Sequence, residues 1–411
     1  MAHDLKSITR PVRSTSGRPI SEPLPGEPGV PTVMQLLPNL ESGPLQRIVI
    51  DVCAGLVDAG WRTVVVSAGG PLVRELEKGG TTHVKLPVDS DGLFATRRNA
   101  ARIAEVIAKH KVDIVHARDR GPAWAGHQAA LRTGAAFVTT MHGTYDATSR
   151  RERQYSSIMA KGARVIASSE FIAWHVVAEF GADPKRLRLV TPAVDFVNYD
   201  PRHVGAGRLI SQARQWRLPD GVPVVMLPGR LTRWKGESFL LHALAQIKRR
   251  DVCCLLLGSD RGREHYGSHL EKLVKKHGLE GNLRTVDSCR DMPAAFMLAD
   301  VVVSASIDPE AFGSVVAEAQ AMGRPVVAPD HGGAQDIVIS GETGWLVPPN
   351  DPDALARAIN DALALTPAER EALSQRAIQH VRTHFTRERM CAETLAVYHE
   401  VLAERAAGTP S

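Results

Sequence analysis

From residue 31 onward the chain alternates between two kinds of segment. Short runs of Val, Ile, Leu and Met read as strands. Longer stretches with an apolar residue at every third or fourth position read as helices. In the first half, strands are predicted at 32–37, 63–67, 112–116, 137–141 and 164–168, and helices at 44–59, 94–110, 122–133 and 170–181. The 44–59 segment carries Leu45, Ile48, Val52 and Leu56 on one face. A loop-like stretch near 200–221 follows, and the alternation then restarts. Strands are predicted at 224–227, 252–257, 283–286, 301–304 and 325–328, with helices at 237–249, 264–277 and 314–322. Three helices close the chain near 352–363, 367–384 and 387–404. Uninterrupted apolar strands between helices imply parallel sheets covered on both faces. The expected fold class is therefore α/β, with two doubly wound, Rossmann-like parallel-sheet domains. Such sheets bind ligands beyond the carboxyl ends of their strands, so two of them face to face would share a central cleft.

The length of 411 residues suits two domains. Residues 1–30 hold Pro11, Pro19, Pro23, Pro25 and Pro28 among Ser, Gly and Arg, too polar to offset ordering entropy, and a disordered tail is expected there. The domains are placed at 31–205 and 206–385, with 386–411 as a closing helix and tail. Net charge is +5, all of it in the first 200 residues, where 25 Lys and Arg meet 20 Asp and Glu. That excess suits an anionic small ligand or an anionic membrane face. It lacks the clustered basic runs with interleaved aromatics of a nucleic-acid binder, and no nucleic acid is expected as partner. The five cysteines (Cys53, Cys253, Cys254, Cys289, Cys391) are odd in number and show no zinc spacing, which points to a reducing compartment. No stretch approaches the length of a membrane span, and residues 1–30 lack the apolar core of a secretory signal. A cytoplasmic location is the expectation.

Candidate chemistry gathers where strands give way to helices. Pro228-Gly229-Arg230-Leu231-Thr232-Arg233-Trp234-Lys235-Gly236 follows a strand. Gly229 permits a tight turn, and Arg230 and Lys235 bracket a helix start, a cationic cradle for a diphosphate. Read singly, it is equally a solvated basic loop. Pro309-Glu310-Ala311-Phe312-Gly313-Ser314 leads to Glu318 in the next helix. Ionised carboxylates there would accept from sugar hydroxyls, and the amides of Ala311, Phe312 and Gly313 could meet phosphate. The bland reading is an acidic helix N-terminus. Asp330-His331-Gly332-Gly333 allows close backbone approach, or is an ordinary turn. The loop from Pro38 through Gly43 to Pro44 sits where a first-strand ligand loop belongs, yet contains no G-x-G-x-x-G, which argues against a nicotinamide dinucleotide. His116 and His142 end parallel strands. For His116 a structural role is as good a reading as a ligand contact, whereas Gly143 beside His142 leaves room for one. Asp89-Ser90-Asp91 has the look of a metal site inside a loop where such residues are expected anyway.

Taken in series, these residues become familiar. Gly229-Arg230 with Lys235-Gly236, Glu310 with Glu318 around Ala311-Phe312-Gly313, Gly323-x-Pro325, Gly332-Gly333, and Gly341-x-Thr343-Gly344 follow one another in order. The run resembles the C-terminal domain of retaining glycosyltransferases of the GT-B fold, family 4. Val112–His116 and Thr140-Met141-His142-Gly143 extend the resemblance into the first half, so that it covers residues 31 to about 395. The resemblance implies that Arg230 and Lys235 hold the donor diphosphate, Glu310 binds hydroxyls of the transferred sugar, Glu318 binds the donor ribose, and His142 lies near the reacting sugar. It implies retention of anomeric configuration, a nucleotide diphosphate sugar as co-substrate, no further cofactor, no metal, and a last helix returning to the N-terminal domain. Gly43 would belong to the donor loop, but Gly43-Pro44-Leu45-Gln46-Arg47 departs from the family's Gly-Gly-x-Glu-Arg. Pro44 removes an amide that could meet phosphate, Gln46 replaces a Glu, and Asp336 replaces a Glu further on.

The stretch from His116 through Arg118 to Trp124 also looks like bacterial members acting on lipopolysaccharide or other envelope glycans. The function expected is transfer of a hexose-type sugar to a glycan or lipid-linked acceptor. Arg97, Arg98, Arg102, Arg150, Arg151, Arg153 and Lys161 could meet the inner membrane leaflet or a phosphorylated acceptor, or simply form a solvated face. An epimerase, a phosphorylase and a non-catalytic sugar-nucleotide binder on the same scaffold are the competing readings.

Overall fold

A computed structural model describes residues 29–89, 92–145, 148–249, 251–259 and 264–408. The expected tail lies outside them except for Gly29 and Val30, as do Ser90 and Asp91 of the Asp-x-Asp stretch. The chain divides into two compact units. Unit 1 runs to Ala193 and resumes at Arg387; unit 2 is Val194–Thr386.

Unit 1 holds β1 (Thr32–Leu36), β2 (Arg62–Ser67), β3 (Thr82–Lys85), β4 (Ile114–Ala117), β5 (Ala136–Met141), β6 (Arg164–Ala167) and β7 (Leu187–Leu189). They form one sheet in the order β3-β2-β1-β4-β5-β6-β7, with parallel pairing throughout. Unit 2 holds β8 (Val224–Pro228), β9 (Cys253–Leu257), β10 (Leu283–Val286), β11 (Val301–Val303), β12 (Val326–Pro329) and β13 (Trp345–Val347), ordered β10-β9-β8-β11-β12-β13. Both sheets are doubly wound. Connections leave in opposite directions from the central pair, β1/β4 in one unit and β8/β11 in the other, which opens a crevice beyond the strand ends at each switch point. The central strands β1, β4, β5, β8, β9 and β11 are buried along their whole length, as continuous apolar runs between two helical layers require.

The closing helix Arg387–Ala406 completes unit 1. Met390, Leu395, Tyr398, Val401 and Leu402 pack with Val33, Val52, Leu56, Ile114 and Val138 in one cluster. Its approach to the helix Pro44–Asp58 is close: a Cβ on Gly55 would lie 2.8 Å from Cys391 Sγ. Tyr398 is fully buried. Its hydroxyl accepts from Gln35 Nε2 at 2.8 Å and pairs with His116 Nδ1 at 2.6 Å.

Besides short elements that the pattern leaves out, among them β3, β7 and β13, the structure departs from it in three larger ways. Residues 206–215, read as part of a loop, form the helix Ala206–Gln215. Its apolar stripe is thin, and it is held by polar contacts instead, with Arg208 donating twice to Asp291 and Gln212 Nε2 donating to the Asp291 carbonyl. The helix read at 237–249 ends at Leu244. Residues 194–204, assigned by pattern to the first domain, belong to unit 2. There Val194, Phe196, Tyr199 and Val204 join the core around Phe296 and Phe312, and the buried Asp200 is bound by Arg202 and Arg382. Arg202 first, through hydrogen bonding, and then the charge of Arg382 hold the Asp200 carboxyl well below the usual carboxylate range.

Tyr398→Phe keeps the ring but leaves Gln35 Nε2 and His116 Nδ1 unpaired inside the core. It is expected to lower unfolding free energy by about 1–3 kcal/mol without changing the denaturant m-value, as measured by urea titration.

Candidate active site

In unit 2 the two central loops are those that follow β8 and β11, and they carry the two strongest motifs. After β8, Gly229 adopts φ +144°, and the chain makes a single turn over Arg233–Lys235 before Gly236 at φ +77° releases it into the helix Glu237–Leu244. No other residue fits at 236, because a Cβ would fall 1.8 Å from the Ala305 carbonyl oxygen. Glu237 is fully buried and braces the turn, with Oε1 accepting from the Thr232 amide at 3.0 Å and Oε2 from Tyr266 Oη at 2.8 Å. Burial pushes its carboxyl above the ordinary range.

This scaffold places Lys235 Nζ 2.7 Å from Glu310 Oε1, with side chains 13% and 21% exposed. Nζ also lies 4.4 Å from the centroid of the Trp234 ring. Glu310 Oε1 further accepts from Ser306 Oγ at 2.5 Å and Ser304 Oγ at 3.5 Å. All these bonds fall on one oxygen; Oε2 has no partner among the described residues. The Glu310 backbone is clamped as well, its carbonyl accepting from the Gly333 amide at 2.8 Å. A Cβ on Gly332 would meet that backbone at 2.6 Å, which accounts for the Gly332-Gly333 pair. The amides of Ala311, Phe312 and Gly313 donate to no acceptor among the described residues. Phe312 itself turns inward, edge-on to Phe385 at 5.6 Å, and Gly313 at φ +88° caps the helix Ser314–Ala321.

The remaining predicted residues of unit 2, Arg230 and Glu318, make no hydrogen bond to this pair among the described residues. Arg230 is exposed, with no side-chain hydrogen bond or ion pair among the described residues. Glu318 takes a hydrogen bond from Tyr199 rather than any contact with Glu310. Burial first, then the charge of Asp195, raises its carboxyl to about 7 against the opposing Tyr199 bond. Burial and then Glu318 push the Tyr199 phenol up in turn.

Unit 1 holds the other two. Gly43 caps the helix Pro44–Asp58 in an extended conformation, with Pro44 as the first helical residue. Gln46, which departs from the family pattern, has a structural use: its Nε2 donates to Asn39 Oδ1 at 3.1 Å and so braces the first loop. His142 follows β5. Burial first, then the charge of Arg118, lowers its pKa to about 3, so the ring is neutral, and Nε2 is buried without a partner among the described residues. Below it lies a polar ring: Arg118 Nε donates to Gln35 Oε1 at 2.8 Å and Nη1 to Thr140 Oγ1 at 3.3 Å, while His116 Nε2 pairs with Thr140 Oγ1 at 2.7 Å. His116 is thus a structural histidine. Among the described residues, no three His, Cys, Asp or Glu side chains are grouped to hold a metal ion.

Several participants were not legible as single letters. Ser304, Ser306, Trp234 and Glu237 had a usable signal, since all lie within or beside the two central motifs. Tyr199 and Arg118 had none beyond position, because each meets its partner only through the folded chain.

Comparison with known proteins places the chain in a family. A family model described as Glycosyl transferases group 1 matches residues 210–380, and one described as Glycosyltransferase Family 4 matches residues 45–197. A glycosyltransferase crystal structure from Rickettsia africae is 32% identical, with a TM-score of 0.83, over 91% of this chain and 99% of that one. The D-inositol 3-phosphate glycosyltransferase of Jonesia denitrificans is 30% identical over 305 residues, 70% of this chain and 71% of that protein. HepE of Anabaena, solved with UDP and glucose, shares the fold at 22% identity, with a TM-score of 0.76, over 90% of this chain and 99% of that one. These matches, over both doubly wound sheets, make the chain a sugar-transferring enzyme. The chain belongs to the group 1 glycosyl transferases, with the GT-B architecture of two parallel-sheet units.

Glu318 offers a direct check on the site's electrostatics. Its folded pKa, about 7, lies above the ordinary 4.5. The folded state therefore binds the proton more tightly, and stability falls as pH rises through this window. Glu318→Gln removes the penalty of burying the charge. It is expected to melt close to the parent at pH 4 and to be more stable at pH 8, by roughly 1–3 kcal/mol; thermal melts across pH read the difference.

Proposed function

We propose that the chain transfers a hexose-type sugar, with retention, from a nucleotide diphosphate sugar to an acceptor hydroxyl. The observation that carries this reading is the state of Glu310: Oε1 is saturated by Lys235, Ser306 and Ser304, and Oε2 is left to accept from a sugar hydroxyl. The unengaged amides of Ala311, Phe312 and Gly313 and the exposed Arg230 supply donors for the diphosphate beside it. Lys235 supplies a second cation without coordination chemistry, so the reading requires neither a metal nor another cofactor. UDP is the donor nucleotide to try first, because it is bound in the Anabaena protein of the same fold.

In the proposed step the bond between the sugar's anomeric carbon and the diphosphate oxygen breaks, and the electron pair leaves with the phosphate. The acceptor hydroxyl oxygen bonds to the same carbon, and its proton passes to the departing phosphate oxygen. Positive charge developing on the ring is met by the Glu310 carboxylate, and negative charge on the leaving group by Arg230 and Lys235. Glu318, once ionised, would accept from the ribose hydroxyls. His142, neutral with Nε2 uncommitted, would meet a hydroxyl of the transferred sugar.

The acceptor we propose is a glycan or lipid-linked saccharide of the bacterial envelope, as in lipopolysaccharide synthesis, made in the cytoplasm at the inner membrane face. The basic surface of unit 1, including the exposed Arg98, Arg102 and Arg150, supports peripheral contact. Among the described residues no helix is long and apolar enough to cross a membrane.

UDP-glucose and GDP-mannose are screened by thermal shift, and the donor that raises the melting temperature is used in a transfer assay. Lys235→Ala and Glu310→Gln are each expected to lower kcat/KM by about 100-fold or more while retaining a cooperative melt. Near-parental transfer by both variants would refute the assignment.

A further inference from the structure

In the sheet of unit 2, β11 lies between β8 and β12, so the loop that carries Glu310 has a neighbouring loop on each side. Both neighbours hold it by hydrogen bonds. From the β8 side, the Trp234 carbonyl accepts from the Ile307 amide at 2.8 Å. From the β12 side, His331 Nε2 lies 2.9 Å from the Ser306 carbonyl oxygen, and the Gly333 amide donates to the Glu310 carbonyl at 2.8 Å. The segment from Ser306 to Glu310 is thus pinned at both ends by the Asp330–Gly333 loop, and His331 is the one side chain in that clamp.

A carbonyl only accepts, so His331 Nε2 carries a hydrogen and donates it, whether the ring is neutral or charged. Ser306 is buried, and its carbonyl has no other donor among the described residues. Without the imidazole that oxygen would be left unpaired, and the segment would shift to find water or another donor. What depends on its position is Ser306 Oγ, which donates to Glu310 Oε1 at 2.5 Å. Lys235 meets the same oxygen, but an ammonium is a point charge on a flexible stem and fixes no orientation. The Ser304 bond is long, at 3.5 Å. The short bond from Ser306 is the one that can set the direction of the carboxylate.

We propose that His331 is a positioning residue for sugar transfer: by holding the Ser306 carbonyl it aims Ser306 Oγ at one oxygen of Glu310 and so keeps the other available to the transferred sugar. The inference rests on the transferase reading, in which Glu310 Oε2 takes a sugar hydroxyl. The imidazole acts through Ser306 and does not have to touch the ligand. Three consequences follow from that route. The sugar, not the nucleotide, meets Glu310, so loss of His331 should be felt by the nucleotide sugar and not by the bare nucleotide. The ring acts through a hydrogen on Nε2, so Gln, whose amide nitrogen reaches the same place, should replace it, whereas the shorter Asn should not. The effect passes through the serine hydroxyl, so it should shrink once that hydroxyl is gone.

The test uses the full chain with UDP and UDP-glucose, or with GDP and GDP-mannose where that donor is the one that stabilises the parent. His331→Ala is expected to lower kcat/KM in the transfer assay about tenfold. By thermal shift it should weaken binding of the nucleotide sugar while affinity for the bare nucleotide stays within about twofold of the parent. His331→Gln is expected to recover most of the activity, and His331→Asn little of it. In a Ser306→Ala background, itself expected to be slow, adding His331→Ala should cost no more than about twofold. Undiminished transfer by His331→Ala, an equal loss of affinity for the bare nucleotide, no recovery with Gln, or the full loss persisting without the serine hydroxyl each overturns the role. If His331→Ala does not melt cooperatively, the comparison of His331→Gln with His331→Asn decides, equal activities counting against the proposal. Failure of every nucleotide sugar to stabilise the unmodified chain would sink the transferase reading. The clamp is then read in urea without ligand: the effects of His331→Ala and Ser306→Ala on stability are expected to depart from additivity, and strict additivity overturns the clamp as well.

Discussion

A carboxylate set where water cannot freely reach needs a partner of opposite charge, and Lys235 supplies it for Glu310. The ammonium 2.7 Å away compensates the charge, and two serines complete one oxygen's shell. The sheet topology brings them together. Lys235 and Glu310 are 75 residues apart in sequence, yet their loops are neighbours because β8 and β11 pair at the point where strand order reverses. Glycines 229, 236, 332 and 333 then let the backbone come close enough for short side chains to reach. In the proposed reaction the same lysine would neutralise a carboxylate at rest and a diphosphate in use, which is economical only if the carboxylate can do without it once a ligand is in place.

Legibility tracked the range of the interactions. The α/β class and the tandem doubly wound sheets could be read because parallel strands buried on both faces are written as apolar runs, as in Val301–Val303 and Cys253–Leu257. The helix Ala206–Gln215 could not, because Arg208 and Gln212 hold it to a loop about 80 residues away rather than through an apolar stripe. The place of residues 194–204 was hidden for a similar reason: Tyr199 and Asp200 find their partners, Glu318 and Arg382, far along the chain.

At the site, order in sequence did better than any single residue. The motifs after β8 and β11 named both members of the Lys235–Glu310 contact without foreseeing the contact itself, whereas Arg230, chosen by the same logic, stands exposed with no side-chain partner among the described residues. Gln46 looked like a loss when set against the family pattern and proves to be the brace of its own loop. His116 and His142 were equally histidines at strand ends. What separates them is that one has both nitrogens satisfied and the other does not, a distinction that requires Tyr398 to arrive from the far end of the chain.

That late arrival has a consequence for how the molecule is made. Unit 2 is continuous, whereas unit 1 is interrupted by it and finished only by the helix Arg387–Ala406. During synthesis the helix Arg387–Ala406 must seal a sheet made well before it, and until it does, Gln35 and His116 lack their shared hydroxyl and the apolar cluster around Val33 and Ile114 stands uncovered. A ribosome that stops before this helix would release one finished unit and one sticky one, so an intact helix here acts as a completeness check on unit 1.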